Sequence, residues 1–296
     1  MPHVSLPKIA LLTAIAMIAF AANSVLNRLA LAEGEADALS YTGVRLASGA
    51  LMLALILVLR GGFRTHGRIG GSYPAAMALF IYAIAFSYAY LELSAGTGAL
   101  LLFAAVQIGM LGFAFASGER PGAFEWTGFF MAILFLVLLL VPGLSAPDPL
   151  GAVLMVLAGG AWACYTLMGR GSAAPLTDTA GNFIRCLPIG LLLIVPEFWV
   201  QGTTLTGWVY AIASGALASG LGYALWYLVL PSLERSTSAY VQLSVPALAA
   251  IGGVLFISEP MTLRLILCSV GILGGVALAI WGADMRRRKA DPRRQA

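Results

Sequence analysis

The side chains best suited to binding chemistry in this sequence are uncharged, and they stand inside long apolar segments. Asn23, Gln107 and Gln242 carry amide groups, which can both donate and accept hydrogen bonds. Such groups are costly in an apolar environment unless they find partners, so we expect them to face the interior of a helix bundle. Tyr82 and Phe86 are four residues apart and therefore share one helix face. Together these groups predict non-covalent binding of a small amphipathic solute.

Aromatic residues in the second half of the chain extend this set. Trp162 and Tyr165 share one face of their segment, and Tyr223 shares a face of another segment with Trp226 or Tyr227. Tyr240 lies within roughly two turns of the centre of its segment. Interhelical hydrogen bonding and aromatic packing would account for any one of these residues. Their concentration near segment centres favours a cavity with aromatic walls.

Two arginines and one proline are candidates for control of conformation. Arg45 and Arg185 stand about two turns inside their segments, where each could reach lipid headgroups or pair with an acidic loop residue. They are therefore structural anchors or parts of a gating latch. Pro246 removes one backbone hydrogen bond and frees the carbonyl of Gln242, so a kink is predicted there, either structural or functional.

Enzyme chemistry finds little support in the sequence. His3 and His66 are far apart and outside the apolar segments, so no histidine cluster for a metal ion is expected. No phosphate-binding lysine motif is present, which argues against ATP-driven transport by this chain. We expect no catalytic residue, metal or cofactor. The carboxylates fall at segment ends, which favours facilitated diffusion, although Glu92 or Glu197 could titrate in an outer vestibule.

The elements that position these residues are predicted to be membrane-spanning helices. The chain is 60% apolar and only 10% charged, and its mean hydropathy is +0.92, which leaves too little polar surface for a soluble domain. Ten apolar stretches have about the length that crosses the hydrocarbon core of a bilayer. They run over residues 8–32, 36–59, 73–93, 96–117, 124–142, 149–171, 178–200, 206–230, 236–257 and 262–284.

The two halves of the chain repeat one pattern. Residues 118–141, a polar turn followed by a long apolar run, return as residues 258–281. The predicted fold is therefore all-α, with one five-helix repeat in residues 1–143, a second in 144–285 and a basic tail in 286–296. Because five is odd, the second repeat enters the bilayer inverted, and a solute site is expected near the midplane between the repeats.

Basic residues are distributed unequally between the two predicted faces. The face that carries both termini holds 13 of the 17 lysines and arginines, so both termini are predicted to be cytoplasmic. The net charge of +4 is then a topology signal, and the basic tail is expected to meet anionic lipid headgroups rather than nucleic acid. The expected partners are the lipid bilayer and a small-molecule solute, and a monomer is compatible with the sequence.

Several short motifs occur in a fixed order along the two halves: Asn23-Ser24, Arg45, Gly118-Glu119, the run from Ser236 to Ala239, Pro246 and the turn from Glu259 to Thr262. In order and spacing, these motifs resemble the EamA-type ten-helix exporters of the drug/metabolite transporter superfamily. The resemblance implies a multi-pass transporter of the bacterial inner membrane that exports small organic solutes by alternating access. Within the superfamily it points to amino acids, aromatic and neutral ones included. A drug or cation exporter of the same superfamily, and a membrane enzyme or scaffold, remain alternatives.

Overall fold

The regular structure of this chain is helical. The computed structural model describes residues 6–60, 69–118, 121–141, 146–170, 172–200, 202–233 and 241–290, and within these ranges no strand is found. The long helices are α1 (Leu6–Ala32), α2 (Ala38–Leu59), α3 (Tyr73–Glu92), α4 (Ala95–Ala116), α5 (Ala123–Leu140), α6 (Pro149–Met168), α7 (Pro175–Ile194), α8 (Leu205–Ser232), α9 (Ser244–Ile257) and α10 (Leu263–Ala290).

These helices confirm the prediction of an all-α integral membrane protein. Eight of them are long and apolar enough to cross a membrane, and α9 is a shorter apolar helix. The remaining helix, α7, is less apolar because it carries Asp178, Asn182 and Arg185 within its length. The helix runs over Pro175–Ile194, so the predicted span of 178–200 extends too far at its carboxyl end, where Val195 and Pro196 form a turn.

Side-chain caps fix the starts of several helices. Asp37 accepts hydrogen bonds from the backbone nitrogens of Leu39 and Ser40 at the start of α2. Ser72, Asp148 and Thr204 cap α3, α6 and α8 in the same way. Because the first backbone N–H groups of a helix have no partner within it, each cap sets where the segment begins.

Three of the helices in the first half pack on the helix five places later in the chain, and the other close pairs are related by exchange of the two halves. The close pairs include α5 with α10, α2 with α7 and α4 with α9, while α3 packs on α6 and α1 on α8. A two-fold relation between two five-helix units would give these same pairs. The division of the chain at residues 143 and 285 stays a prediction.

Helical geometry is interrupted three residues before Pro246. Val241 and Gln242 are helical, Leu243 forms a turn, and the regular part of α9 begins at Ser244. A proline lacks the N–H that continues a helical ladder, so the interruption lies where the predicted kink would be produced.

Close contact between α5 and α10 depends on glycine. A Cβ at Gly128 would overlap the carbonyl oxygen of Gly275 and lie 2.5 Å from the backbone nitrogen of Ala279. Because backbone cannot move aside as a side chain can, Gly128→Ala should cost about 1 to 3 kcal/mol. We expect the Tm in detergent to fall by roughly 2 to 10 °C. Gly160→Ala is the matched control, since no heavy atom lies within 4 Å of its Cβ. An equal Tm for the two variants would contradict this account.

Candidate substrate cavity

A cavity of about 590 Å³ enters the bundle from one end. Its mouth lies at Gly71, Ser72 and Arg170, which connect to α3, α6 and α7 at the end of the bundle where the described chain begins and finishes. Farther in, its walls are aromatic or carry amides. The inner wall is formed by Phe20, Trp162, Tyr165, Thr179, Tyr223, Trp226 and Gln242. A pocket of about 40 Å³ shares Phe20, Trp162, Tyr223 and Gln242 with the cavity and adds Asn23, Ser24, Tyr82, Phe86 and Phe103.

Trp162 is the centre of a cluster of rings. Its indole stacks on Tyr223 at 5.5 Å and on Tyr165 at 5.2 Å between ring centroids, and it meets Tyr82 at 4.8 Å in a tilted arrangement. Phe86 continues the cluster at 5.2 Å from Tyr82. Rings from α3, α6 and α8 thus form one continuous wall, as expected for the sites of apolar or aromatic side chains.

Asn23 ties α1 to α8 beside the inner pocket. Its Oδ1 accepts a hydrogen bond from Ser214 Oγ at 2.8 Å, and its Nδ2 donates to Ser219 Oγ at 3.2 Å. The segment Ala213–Leu221 of α8 is a π-helix, in which residues five apart lie on one face. Ser214 and Ser219 are five residues apart, so both face Asn23. An α-helical count puts the two serines on different faces, so the sequence does not predict that both contact Asn23.

Arg45 lies in the centre of the bundle, and the prediction that it reaches a membrane face or a loop acid is wrong. The residue is 2% exposed. Its NH2 donates to the Tyr82 hydroxyl at 3.0 Å, and its guanidinium lies 4.9 Å from the Phe86 ring centroid and 5.3 Å from that of Tyr82. Its NH1 is buried without a hydrogen-bond partner among the described residues. Arg45 is buried because it lies on the face of α2 that packs against α3, so its side chain points toward α3 and not along α2 to the end of the bundle.

Arg185, the arginine at the same place in the second half, is an anchor. It donates to the carbonyl oxygens of Gly70 and of Gly181, the latter at 3.0 Å, and lies over the Tyr73 ring. These contacts hold the segment before α3 against α7 at the rim of the cavity. Of the two roles weighed from the sequence, a structural one fits this placement.

The three other predicted polar site residues have different outcomes. Gln107 does not reach the cavity, because Val106 occupies the cavity-facing position of α4 and the next residue is rotated by about 100°. Gln107 instead borders a small crevice between α4, α5 and α10. Gln242 lines both the cavity and the inner pocket. Tyr240 lies outside the described residues.

The end of the bundle opposite the mouth is closed by Arg28 and Glu259. Arg28 Nε contacts Glu259 Oε1 at 3.1 Å, and its NH1 donates to the carbonyls of Tyr90 and Leu91 at the end of α3. Both carboxylate oxygens of Glu259 accept from the backbone nitrogen of Ala95, which begins α4. Glu259 therefore caps α4, and not the α10 helix that follows it in sequence. This pairing across the two halves was also missed.

Comparisons with known proteins agree with this architecture. The EamA-like transporter family matches residues 149–281. An uncharacterized protein of Pseudomonas aeruginosa is 51% identical over 270 residues, which are 91% of this chain and 93% of that protein. The chain belongs to the EamA-like transporter family. A further relative of this EamA-like transporter is the threonine/homoserine exporter RhtA of Escherichia coli K12, 32% identical over 187 residues, or 61% of each chain.

Two further likenesses of this EamA-like transporter are more distant. An uncharacterized transporter of Archaeoglobus fulgidus is 24% identical over 82% of this chain and 88% of its own length. A crystal structure of a protein superposes with a TM-score of 0.60 at 19% identity, covering 90% of this chain and 97% of the other. The second likeness shows the fold alone. The family and the named exporter are transporters, in agreement with the absence of an enzyme motif from the sequence.

Proposed function

We propose that this protein exports neutral amino acids and related small metabolites across the bacterial inner membrane by alternating access. The observation that carries the proposal is the cavity of about 590 Å³, which has a mouth at one end of the bundle and a closure by Arg28 and Glu259 at the other. A solute can enter such a cavity from one side of a membrane only. Both termini would be cytoplasmic, so the mouth would face the cytoplasm.

The cavity walls support an amino acid as the solute. Rings of Trp162, Tyr165, Tyr223 and Trp226 offer apolar faces to an aromatic or aliphatic side chain, and Gln242 adds an amide group to the same lining. The relationship to the threonine/homoserine exporter supports amino acids in general. The aromatic walls of the cavity support aromatic amino acids as members of that class.

The same cavity argues against a drug or cation exporter. A cation would be favoured by a carboxylate deep in the cavity, whereas Asp178 is the acidic member of its described lining and lies at the mouth. That carboxylate already accepts hydrogen bonds from the backbone nitrogen of Gly71 and from Ser172. The buried Arg45 adds positive charge near the inner pocket, which would repel a cation. A membrane enzyme or scaffold would show no saturable solute flux.

Flux through proteoliposomes of the purified protein tests the proposal. Vesicles loaded with unlabelled solute should take up the labelled solute by counterflow. We expect saturable counterflow for neutral amino acids, and little for organic amines or sugars. Empty vesicles and vesicles of heat-denatured protein give the background. Counterflow of amines or sugars without any of the amino acids would overturn the proposal.

Transport should depend little on an imposed pH gradient. Of the carboxylates considered from the sequence, Glu92 is exposed, and Glu197 is buried away from the cavity, where Ser40 and Thr203 donate hydrogen bonds to it. Neither can link protonation to a bound solute. We therefore expect counterflow rates within about twofold of each other with and without a gradient of one pH unit. Concentrative uptake driven by the pH gradient alone would contradict this and direct attention to Asp178, the acidic residue of the described cavity lining.

A further inference from the structure

Arg45 is a buried cation for which the described structure supplies no anion. Ion pairs are found for Arg28 with Glu259 and for Arg286 with Glu125, but none of the described carboxylates lies within 4.0 Å of Arg45. Its partners are a neutral hydroxyl and two ring faces, and its NH1 has no hydrogen bond among the described groups. Burying an unpaired charge is costly, so such a group is expected at a place where function requires it.

Tyr82 connects this charge to the inner pocket. Its hydroxyl oxygen accepts a hydrogen bond from Arg45 NH2, so its own proton is available to another acceptor, and the described residues supply none. A phenol that accepts from a guanidinium becomes a stronger donor, because the two hydrogen bonds polarise one another. Tyr82 also lines the inner pocket, together with Asn23, Ser24 and Phe86.

The size of the inner pocket limits what can bind there. A volume of about 40 Å³ has room for a small polar group and not for a whole amino acid. The adjoining cavity of about 590 Å³ has room for the rest of the solute. Positive charge behind a hydroxyl donor favours an anionic group that accepts the hydrogen bond.

We infer that the inner pocket binds the carboxylate of the transported solute, with Tyr82 as the contacting donor and Arg45 as the positioning residue behind it. The inference rests on the proposed function and narrows it to solutes that carry a carboxylate. The side chain of the solute then lies against Trp162 and Tyr223, and its amino group faces the wider cavity.

Competition by matched analogues tests this without any change to the protein. Counterflow of labelled phenylalanine is measured against unlabelled phenylalanine, N-acetylphenylalanine, phenylalanine amide and phenethylamine. The first two keep the carboxylate, and the last two lack it. A charge-assisted hydrogen bond is worth about 1.5 to 3 kcal/mol, so the last two should need roughly 10- to 150-fold higher concentrations for half-inhibition. Equal inhibition by all four would overturn the inference while amino acid flux upheld the proposed function. Saturable flux of none of the neutral amino acids would overturn both.

Three variants assign the effect to this pair. Tyr82→Phe keeps the ring and removes the donor, and Arg45→Gln removes the charge. In either variant the ratio between amide and amino acid should fall to within about threefold of unity. Tyr88→Phe is the matched control, because Tyr88 is on the same helix but is 37% exposed on the outside of the bundle. If Arg45→Gln fails to fold, the ratio measured in Tyr82→Phe alone tests whether this pair binds the carboxylate. Full discrimination in Tyr82→Phe would contradict the assignment.

Discussion

Removal of the Glu259 carboxylate should open the closed end of the bundle. The ion pair with Arg28 is mostly shielded, with exposed side-chain fractions of 21% for Arg28 and 11% for Glu259. Loss of one partner from a fully buried pair costs about 3 to 5 kcal/mol, and partial exposure reduces this to about 1 to 3 kcal/mol. Glu259→Ala also removes the cap from α4. The population open at that end should therefore rise by roughly 5- to 150-fold.

Thiol labelling measures this opening. Ser24, on the wall of the inner pocket, is replaced by cysteine in a chain whose three native cysteines have been removed. An impermeant thiol reagent is then applied from the side opposite the termini. The labelling rate should rise in Glu259→Ala and fall back in part when charges are exchanged in Arg28→Glu with Glu259→Arg, which restores the pair without the cap.

The ion pair of Glu125 with Arg286 provides the control. It has similar geometry, 2.7 Å between Arg286 Nε and Glu125 Oε1, but it joins α5 to α10 at the end of the bundle that carries the mouth. Glu125→Ala should leave labelling of the Ser24 position unchanged from the far side. Equal labelling rates in Glu259→Ala and Glu125→Ala would show that Glu259 does not close the bundle.

Backbone geometry explains how Glu259 reaches α4. Ser258, at the end of α9, has a positive φ of 56°, a left-handed conformation that a residue other than glycine rarely adopts. The turn folds Glu259 back toward the start of α4, where it meets Ala95 and Arg28. A residue held in this conformation persists only where the surroundings fix it, and here two hydrogen bonds and an ion pair do so.

Sequence patterns predicted the elements better than the contacts between them. The helices follow from length and hydropathy, and Asn23, Tyr82, Phe86 and Trp162 follow from their depth and spacing, since the structure brings all four to the inner pocket. Gln107 has the right depth but the wrong phase. One residue rotates a side chain by about 100°, and hydropathy does not resolve this in a helix that is apolar on every face.

The directions of charged side chains were harder to predict, because the same sequence is compatible with two placements. An arginine a few residues inside a helix can reach the membrane surface or turn inward, and the neighbours that decide come from distant segments. For Arg45 those neighbours are Tyr82 and Phe86, and for Arg185 they are loop carbonyls. A period of 3.6 residues per turn likewise does not predict the π-helical part of α8.

Trp162→Ala should weaken binding of aromatic solutes more than any other single change in the cavity wall. The indole contacts Tyr82, Tyr165 and Tyr223, so its removal takes away an indole face and leaves three rings without their common neighbour. Ring contacts are worth about 0.5 to 1.5 kcal/mol each beyond buried area. We expect apparent affinity for phenylalanine to fall by about 2 kcal/mol or more, roughly 30-fold or greater.

The dependence on side chain separates lost binding from general damage. Affinity for a small amino acid such as threonine should fall less, because its side chain makes little contact with a ring, whereas Trp162→Phe should keep most of the affinity for both. Trp281→Ala is the matched control, since Trp281 lies on α10, is 44% exposed and packs on Phe124. The measurement is counterflow at a series of concentrations, normalised to the amount of folded transporter in the vesicles. If Trp162→Ala and Trp281→Ala have the same affinity for phenylalanine, the solute does not rest on this ring, and the aromatic wall serves only to pack α3, α6 and α8 together.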